Sequence, residues 1–251
     1  MVEGSLTSRL SQAALQYVEA FESDDPVFMA ERFYAYYTFP ASRAWRARLA
    51  SRRETASFIG VVRQRVLRAE WMSANVESDS WFAWRRPGPN SSVAPRFKLY
   101  VSPHCSDLPE VFAVAARVFT ESDAVAFKVG NSAGGVLRPD KLIAYFANYA
   151  ALARAGAALE KLVPGARVHG VPFSCQLDAT GLLSWGVDPI TPANAGDGGA
   201  ISWRRWVAAR LASRFVEGRK SEASDVSQYA LDALSAEGVD VGRWIVRNAG
   251  P

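Results

Sequence analysis

The segment RFKLYVSP at residues 96–103 decides the fold class, because apolar residues alternate there with polar or basic ones. A period of two is typical of a β-strand with one buried face. The predicted strand carries Lys98 and Tyr100 on the face opposite its apolar row. This segment therefore predicts a sheet with one apolar face and one face that contains basic groups.

The rest of the chain alternates strand and helix patterns around this segment. Short apolar runs predict strands at residues 124–130, 140–146, 171–177 and 181–187, the last two as a hairpin. Helical spacing predicts helices over residues 10–21, 26–40 and 43–68, from Asp107, from Asn148 to Pro164, and from Ser202 to an interruption at Gly218. Residues 87–92, PGPNSS, predict a loop.

This order of elements predicts an α+β fold. An N-terminal helical region over residues 1–80 is followed by an α+β domain over residues 81–251, and the two can form one continuous domain. The sheet is expected to be mixed or antiparallel, with helices packed on one face.

Composition excludes several classes of protein. The chain has 251 residues, 49% hydrophobic and 22% charged, which is enough apolar material for a core and excludes disorder as the main state. No run approaches the ~18 apolar residues of a spanning helix, and no signal peptide is visible, so we expect a cytoplasmic protein without membrane contact. Cys105 and Cys175 are predicted to be reduced core thiols. No spacing of His, Cys, Asp or Glu predicts a metal site, and no cofactor is expected.

Lysine is scarce in this chain and concentrated in one region. Of 29 basic residues only five are lysine, and three of these, Lys98, Lys128 and Lys141, lie between residues 98 and 141. Lysine differs from arginine in that its proton can be removed. The predicted strands place these lysines on the polar sheet face with Tyr100 and Tyr145, a set of donors that suits phosphate or carboxylate.

Two loops also fit an anionic ligand. The glycine-containing segment VGNSAGGVLRPD at residues 129–140 includes Arg138, and its backbone N–H groups can turn toward an anion; a flexible hairpin is the alternative. If Ser202 caps the last long helix, Arg204 and Arg205 lie in its first turn, where the helix dipole disfavours cations unless an anion binds there. Asp188 could orient a cation, although a turn aspartate before proline is common.

The segment at residues 43–68 has eight arginines and a single acid, Glu54. Its apolar spacing predicts an amphipathic helical region with a basic face, either solvated or turned toward an anionic partner. Nucleic-acid binding through this region is a less favoured alternative, because a net charge of +4 is only mildly basic.

The motifs FKLYVSP, AFK, the glycine-containing loop, RPDKLIAYF, HGVPF, GVDP and SWRR occur in this order over residues 96–215. In that order they resemble the HopA-type effector family. That family includes bacterial type III effectors and the effector-like lyase subunits of class V lanthipeptide and thioamitide biosynthesis. SW at residues 202–203 departs from the expected pattern, which is closer to SFG.

The resemblance implies a bacterial lyase that eliminates phosphate from phosphoserine or phosphothreonine of a precursor peptide, leaving dehydroamino acids, after a partner kinase has added the phosphate. It also makes residues 43–68 the expected surface for a leader peptide or the kinase, with Arg46, Arg52 and Arg63 as test positions.

Lys141 and Lys128 become the candidates for base and phosphate ligand, with Lys141 preferred as base. Arg138 and Arg204 would hold phosphate with Lys98 nearby, and His169 would be the general acid. The alternative function is a non-catalytic effector-like or peptide-binding module that recognises a phosphorylated or acidic partner.

Overall fold

A computed structural model describes residues 4–74, 80–87, 96–189 and 201–247 of the protein. Its helices are α1 (Leu6–Glu19), α2 (Pro26–Ala35), α3 (Arg43–Arg48), α4 (Arg52–Ile59), α5 (Arg65–Glu70), α6 (Leu108–Glu121), α7 (Ala133–Val136), α8 (Tyr149–Leu162), α9 (Trp203–Lys220) and α10 (Val226–Ala236), with a 3-10 turn at Val61–Arg63. Its strands are β1 (Met72–Ser73), β2 (Trp81–Arg85), β3 (Phe97–Val101), β4 (Ala126–Gly130), β5 (Leu142–Phe146), β6 (Cys175–Gln176), β7 (Leu183–Val187), β8 (Val239–Asp240) and β9 (Ile245–Val246). Residues 88–92 of the predicted loop lie outside the described residues.

The described strands form a seven-stranded sheet in the order β1-β2-β4-β5-β3-β7-β6, and β8 pairs with β9 separately. The pairs β1–β2, β2–β4, β4–β5 and β3–β5 are antiparallel. The α+β fold predicted from the sequence is thereby confirmed.

One face of the sheet carries the apolar row and is covered by α6 and α8. Phe127 of β4 lies 5.3 Å from the ring of Phe119 on α6, and the side chain of Leu177 packs against Gly156 on α8. Leu99 and Phe146 are fully buried on the same face. The core of this half of the chain therefore lies between the sheet and these two helices.

The chain forms two compact units. One consists of residues 1–37, 172–176 and 186–251, and the other of residues 38–171 and 177–185. The division at residue 80 follows the change from helical to alternating patterns, whereas the compact units follow packing and recruit segments distant in sequence.

The first unit has an aromatic core around α9. Phe33 of α2 contacts Phe215 of α9 at 5.2 Å and Phe173 at 5.9 Å, and Phe173 contacts Trp244 at 5.0 Å. All four side chains are buried, with exposures of at most 1%.

Three local predictions are wrong. The 43–68 region is not one helix, because Ser51 starts α4 and Gly60, at φ 81°, ends it. Residues 171–174 are not a strand, because Phe173 has a φ of 60°, outside the extended region. Gly218 does not interrupt α9: a Cβ there would lie 3.0 Å from the ring of Tyr229, so the glycine permits close approach of α10.

A strand is also missing from the sequence-based prediction. WFAWR at residues 81–85 forms β2, which pairs with β4 over its whole length. Aromatic residues are common in strands, and this run was the available signal. No helix of the described residues has the length and apolarity to span a membrane. Cys105 and Cys175 are buried thiols, as expected.

Helix α9 begins where predicted, but a different residue satisfies its N-terminus. Ser202 occupies the cap position without a side-chain hydrogen bond, and the Asp188 carboxylate accepts the backbone N–H of Trp203 at 2.8 Å. A negative charge at this end favours the helix dipole. Asp188 is thus an anion built into the chain at the place where the sequence predicted a bound one.

We therefore expect Asp188→Ala to lower the free energy of unfolding by about 1 kcal/mol, the usual effect of removing a cap. Asp188→Asn, which keeps an oxygen acceptor, should lose less. Urea denaturation of both variants measures the difference, and equal stability of Asp188→Ala and the wild type would contradict this role.

Candidate functional site

The face of the sheet opposite α6 and α8 carries lysines and aromatic rings. Lys98 of β3 pairs with Tyr145 of β5, and Lys128 of β4 pairs with Ile143 of β5. Because alternate residues of a strand share a face, both lysines lie on the face of Ile143 and Tyr145. Sequence alternation predicted this grouping.

Two rings connect the cations of this face. Lys98 Nζ lies 5.3 Å and Lys128 Nζ 5.8 Å from the ring centre of Tyr145. Lys128 Nζ is also 4.4 Å from the ring centre of Trp81, and the guanidinium of Arg138 is 5.3 Å from it. We call these five residues the cation–aromatic face. Lys98, Lys128 and Arg138 thus bring several N–H donors together on one face, where an anion can bind, although Asp140 offsets part of the Arg138 charge.

The cations of this face differ in exposure and in partners. Lys98 is 6% exposed, and Lys128 is half-buried. Arg138 has a 24% exposed side chain, and its Nε and Nη2 each donate to the carboxylate of Asp140 at 2.9 Å. This bidentate pair fixes the plane of the guanidinium. Asp140 therefore orients Arg138 beside Trp81.

The segment between β4 and β5 is held close to β4. A short helical turn, α7, forms there, with the hydroxyl of Ser132 accepting the N–H of Gly135. Gly130 and Gly135 approach so closely that a Cβ on Gly130 would lie 2.4 Å from the carbonyl carbon of Gly135. The glycines of this segment therefore provide close backbone packing between β4 and α7.

Lys141 and His169 form a second, buried group in the same compact unit. Lys141 Nζ lies 2.7 Å from Nδ1 of His169 and donates to the carbonyl of Pro103 at 3.0 Å. Lys141 is 0% and His169 1% exposed. The imidazole stacks on Phe39, with ring centres 3.8 Å apart.

Burial lowers the pKa of Lys141 from 10.5 to about 7. The cause is loss of solvation of the ammonium, which nearby Cys105 and Asp140 only partly offset. Burial also raises the pKa of the Cys105 thiol. Near neutral pH a neutral amine on Lys141 can accept a hydrogen bond from the imidazole.

The lowered pKa of Lys141 predicts how stability changes with pH. Between about 7 and 10.5 the unfolded chain keeps a proton that the folded chain has lost, so stability should rise with pH over this range. We expect the free energy of unfolding of the wild type, minus that of Lys141→Met, to increase from about pH 6.5 to about pH 8.5. Urea denaturation at both pH values measures it; a constant difference would mean that Lys141 keeps its ordinary pKa.

The structure brings together five of the six predicted site residues in one compact unit, as two groups. Lys98, Lys128 and Arg138 belong to the cation–aromatic face, and Lys141 and His169 form the buried pair. Arg204 belongs to the other unit, where its Nε donates to the carbonyl of Pro172 at 3.0 Å and its Nη2 to that of Tyr34 at 3.2 Å. Among the described residues, no group of three His, Cys, Asp or Glu side chains could hold a metal ion.

The overall fold is similar to that of solved effector structures. An effector protein from Pseudomonas syringae pv. tomato strain DC3000 superposes with a TM-score of 0.61 at 12% identity, covering 96% of this chain and 97% of that one. An effector protein from Pseudomonas syringae pv. syringae strain 61 gives 0.59 at 15% identity, covering 96% and 99%. The chain has the fold of these effectors. This agrees with the effector part of the resemblance noted in the sequence.

A weaker likeness extends to phosphothreonine lyases. OspF from Shigella flexneri, a type III effector and phosphothreonine lyase, matches with a TM-score of 0.40 at 13% identity, over 53% of this chain and 89% of that one. No protein-family model and no curated protein matches the sequence.

Sequence reasoning missed Trp81 and Asp140 as parts of the site. Trp81 is the first residue of β2, a strand that the sequence pattern did not predict. Asp140 was predicted only as the first residue of a strand. The arginine two residues before Asp140 was the available signal, because such a pair can form a bidentate contact.

Proposed function

We propose that this protein eliminates phosphate from phosphoserine or phosphothreonine residues of a peptide. The observation that carries the proposal is the cation–aromatic face, on which one half-buried lysine stands among two further cations and two rings. Such a face can hold a phosphate with Lys98 and Arg138 and offer the amine of Lys128 close to it; the amine must be neutral to accept the Cα proton.

The reaction needs one base and a stabilised leaving group. The base removes the Cα proton, a Cα=Cβ double bond forms, and the Cβ–O bond breaks with its electrons leaving on the phosphate. Lys98 and Arg138 would bind the phosphate oxygens and stabilise the charge that it carries away. The product is a dehydroalanine or dehydrobutyrine residue and inorganic phosphate.

Exposure favours Lys128 over Lys141 as the base. A base must reach the Cα proton of a bound peptide, and Lys128 is half-buried on the cation–aromatic face. Lys141 is 0% exposed and already contacts His169 and Pro103. We propose that the Lys141–His169 pair holds the start of β5 in position. Lys128, rather than Lys141 as the sequence suggested, is then the base.

The general acid and the second arginine are also reassigned. His169 is 1% exposed and lies against Phe39, and we propose a supporting role for it. Phosphate bound by cations can leave as an anion without a proton donor. Arg204, 1% exposed and bonded to main-chain carbonyls, is proposed to stabilise its own unit.

For the biological setting we propose maturation of a ribosomally made peptide in the bacterial cytoplasm. A partner kinase would phosphorylate serine or threonine of the precursor peptide, and this chain would then remove the phosphate, as the lanthipeptide and thioamitide lyases do. The sequence motifs support this setting, because they resemble that family over residues 96–215.

The proposal is tested by incubating the purified protein with phosphoserine and phosphothreonine peptides, and with its precursor peptide and neighbouring kinase. Mass spectrometry follows loss of phosphoric acid, and an added thiol traps dehydroamino acids. Loss of that mass together with a thiol adduct supports the lyase. Intact phosphopeptide under every condition overturns it.

A non-catalytic phosphopeptide-binding module is the second candidate function. The burial of both Lys141 and His169 favours it, since these are the side chains for which the resemblance implies proton transfer. It predicts that the protein binds phosphopeptide and that Lys128→Ala weakens binding, with no elimination by the wild type.

A further inference from the structure

The segment at residues 43–68 presents a dense cationic surface on α3, α4, the 3-10 turn and α5. All of its arginines are exposed, and Glu54 is the only acid in the segment. The arginines are Arg43, Arg46, Arg48, Arg52, Arg53, Arg63, Arg65 and Arg68. We call these eight side chains the arginine surface. With eight arginines and one acid, this segment has more positive charge than the net charge of +4 of the whole chain.

This charge is not neutralised within the described part of the chain. Apart from Arg52, none of the eight arginines forms an ion pair there. Arg48 lies over the ring of Phe58 at 4.7 Å, and Trp45 packs against Phe58 at 5.7 Å, which joins α3 to α4. The surface is thus supported from below by rings while its charges point to solvent.

The arginine surface meets the cation–aromatic face only at the start of β2, where Arg52 contacts Trp81; the ring of Phe82, which Arg52 also covers, lies on the opposite face of the sheet. Arg52, the first residue of α4, donates from Nη2 to the carbonyl of Trp81 at 3.4 Å and lies over the ring of Phe82 at 4.7 Å. The ring of Trp81 is the one against which Lys128 and Arg138 pack. Trp81 therefore contacts α4 through its backbone carbonyl and the cations of the candidate phosphate site through its side chain.

We propose that the arginine surface binds an acidic segment of the peptide whose phosphorylated residue occupies the cation–aromatic face. This rests on the proposed function for the position of the phosphate. Guanidinium groups match carboxylates in geometry and charge. An extended peptide that leaves the phosphate site and passes around the start of β2 at Trp81 meets Arg52 first. The surface would raise the affinity for peptides in which Asp and Glu flank the modified residue.

A peptide fits this surface better than a nucleic acid. Single-stranded nucleic acids bind to open aromatic rings on which bases stack. Here the rings of Phe58 and Phe82 are covered by Arg48 and Arg52, so that the surface offers charge without stacking platforms. The neighbouring site also fits a peptide substrate, which would already have one phosphorylated residue fixed beside the surface.

The test compares two phosphopeptides with the same core, one extended by a segment rich in Asp and Glu and the other by the same segment with Asn and Gln. Fluorescence anisotropy measures Kd, and mass spectrometry measures elimination. The variant is Arg46→Glu/Arg53→Glu/Arg63→Glu, which leaves Arg52 in place beside Trp81. Its matched control, Lys161→Glu/Lys220→Glu/Arg243→Glu, makes the same change of charge at exposed positions elsewhere.

We expect the wild type and the control variant to bind the acidic peptide at least about tenfold more tightly than the neutral one, the combined effect of three exposed ion pairs. The arginine variant should lose this preference, and added salt should reduce it in the wild type. Both variants should process the short core peptide as the wild type does.

Three results would overturn the inference: equal Kd values for the two peptides in the wild type, an equal preference in the arginine variant, or displacement of the acidic peptide by a single-stranded oligonucleotide at lower concentration than by unlabelled peptide. Because Kd is measured without turnover, a protein that binds the acidic peptide but eliminates no phosphate refutes the proposed function and leaves the binding surface supported.

Discussion

Replacing Lys128 with methionine is expected to lower kcat for phosphate elimination by about 10³-fold, within the usual contribution of a general base. Methionine keeps much of the length and apolar contact of the side chain beside Trp81 and Tyr145 but has no amine. Single-turnover mass spectrometry with a phosphoserine peptide measures the rate. Lys161→Met, at an exposed position on α8, is the matched control and should retain the wild-type rate.

The same experiment separates the two candidate lysines. Lys141→Met removes a buried amine that contacts His169 and Pro103, so the free energy of unfolding and its dependence on pH should change. A folded sample of this variant should still eliminate phosphate at a measurable rate. If Lys141→Met is folded by circular dichroism and inactive while Lys128→Met eliminates phosphate, the base is Lys141 and the assignment made here from exposure is wrong.

Gly130→Ala is expected to lower the free energy of unfolding by about 2 kcal/mol, in the range of overpacked cores. The added methyl would lie 2.4 Å from the carbonyl carbon and 2.6 Å from the carbonyl oxygen of Gly135, which are backbone atoms that cannot turn aside. The segment from residue 131 to Arg138 would have to move away from β4. Because Arg138 then shifts relative to Lys128, KM for the phosphopeptide should rise as well.

Gly134→Ala is the control for this prediction. It lies in the same turn, is exposed, and a Cβ there would meet only the hydroxyl of Ser132 at 3.9 Å. We expect unchanged or slightly higher stability, since alanine favours a helical turn over glycine. Urea denaturation and phosphopeptide kinetics measure both variants. A Gly130→Ala protein with wild-type stability and KM would show that this close approach does not hold the site.

The strand at residues 97–101 illustrates what could be predicted locally. Alternation sorts side chains onto two faces without knowledge of the neighbouring strands, so Lys98 was placed correctly opposite the apolar row. The same reasoning put Lys128 on that face, and the β3–β5 and β4–β5 pairs confirm it. Charge density is likewise a property of composition, and the arginines of residues 43–68 were identified as a basic region from sequence alone.

Contacts between distant residues lay beyond such reasoning. Asp188 satisfies the start of α9 from 15 residues away, and Trp81 reaches Lys128 and Arg138 through strand pairing. The choice between Lys128 and Lys141 also depends on burial, which is a sum over neighbours from several segments. Lys141 is fully buried, which lowers its pKa, whereas Lys128 is half-buried.

The α+β class, the two faces of the central strands and the positive charge of residues 43–68 follow from the sequence alone, because each depends on periodicity or composition along a few neighbouring residues. The folded chain was needed to see which cations share a site, which lysine is accessible and which carboxylate caps α9. These depend on strand order and on burial, and neither can be read from residues that are adjacent in the chain.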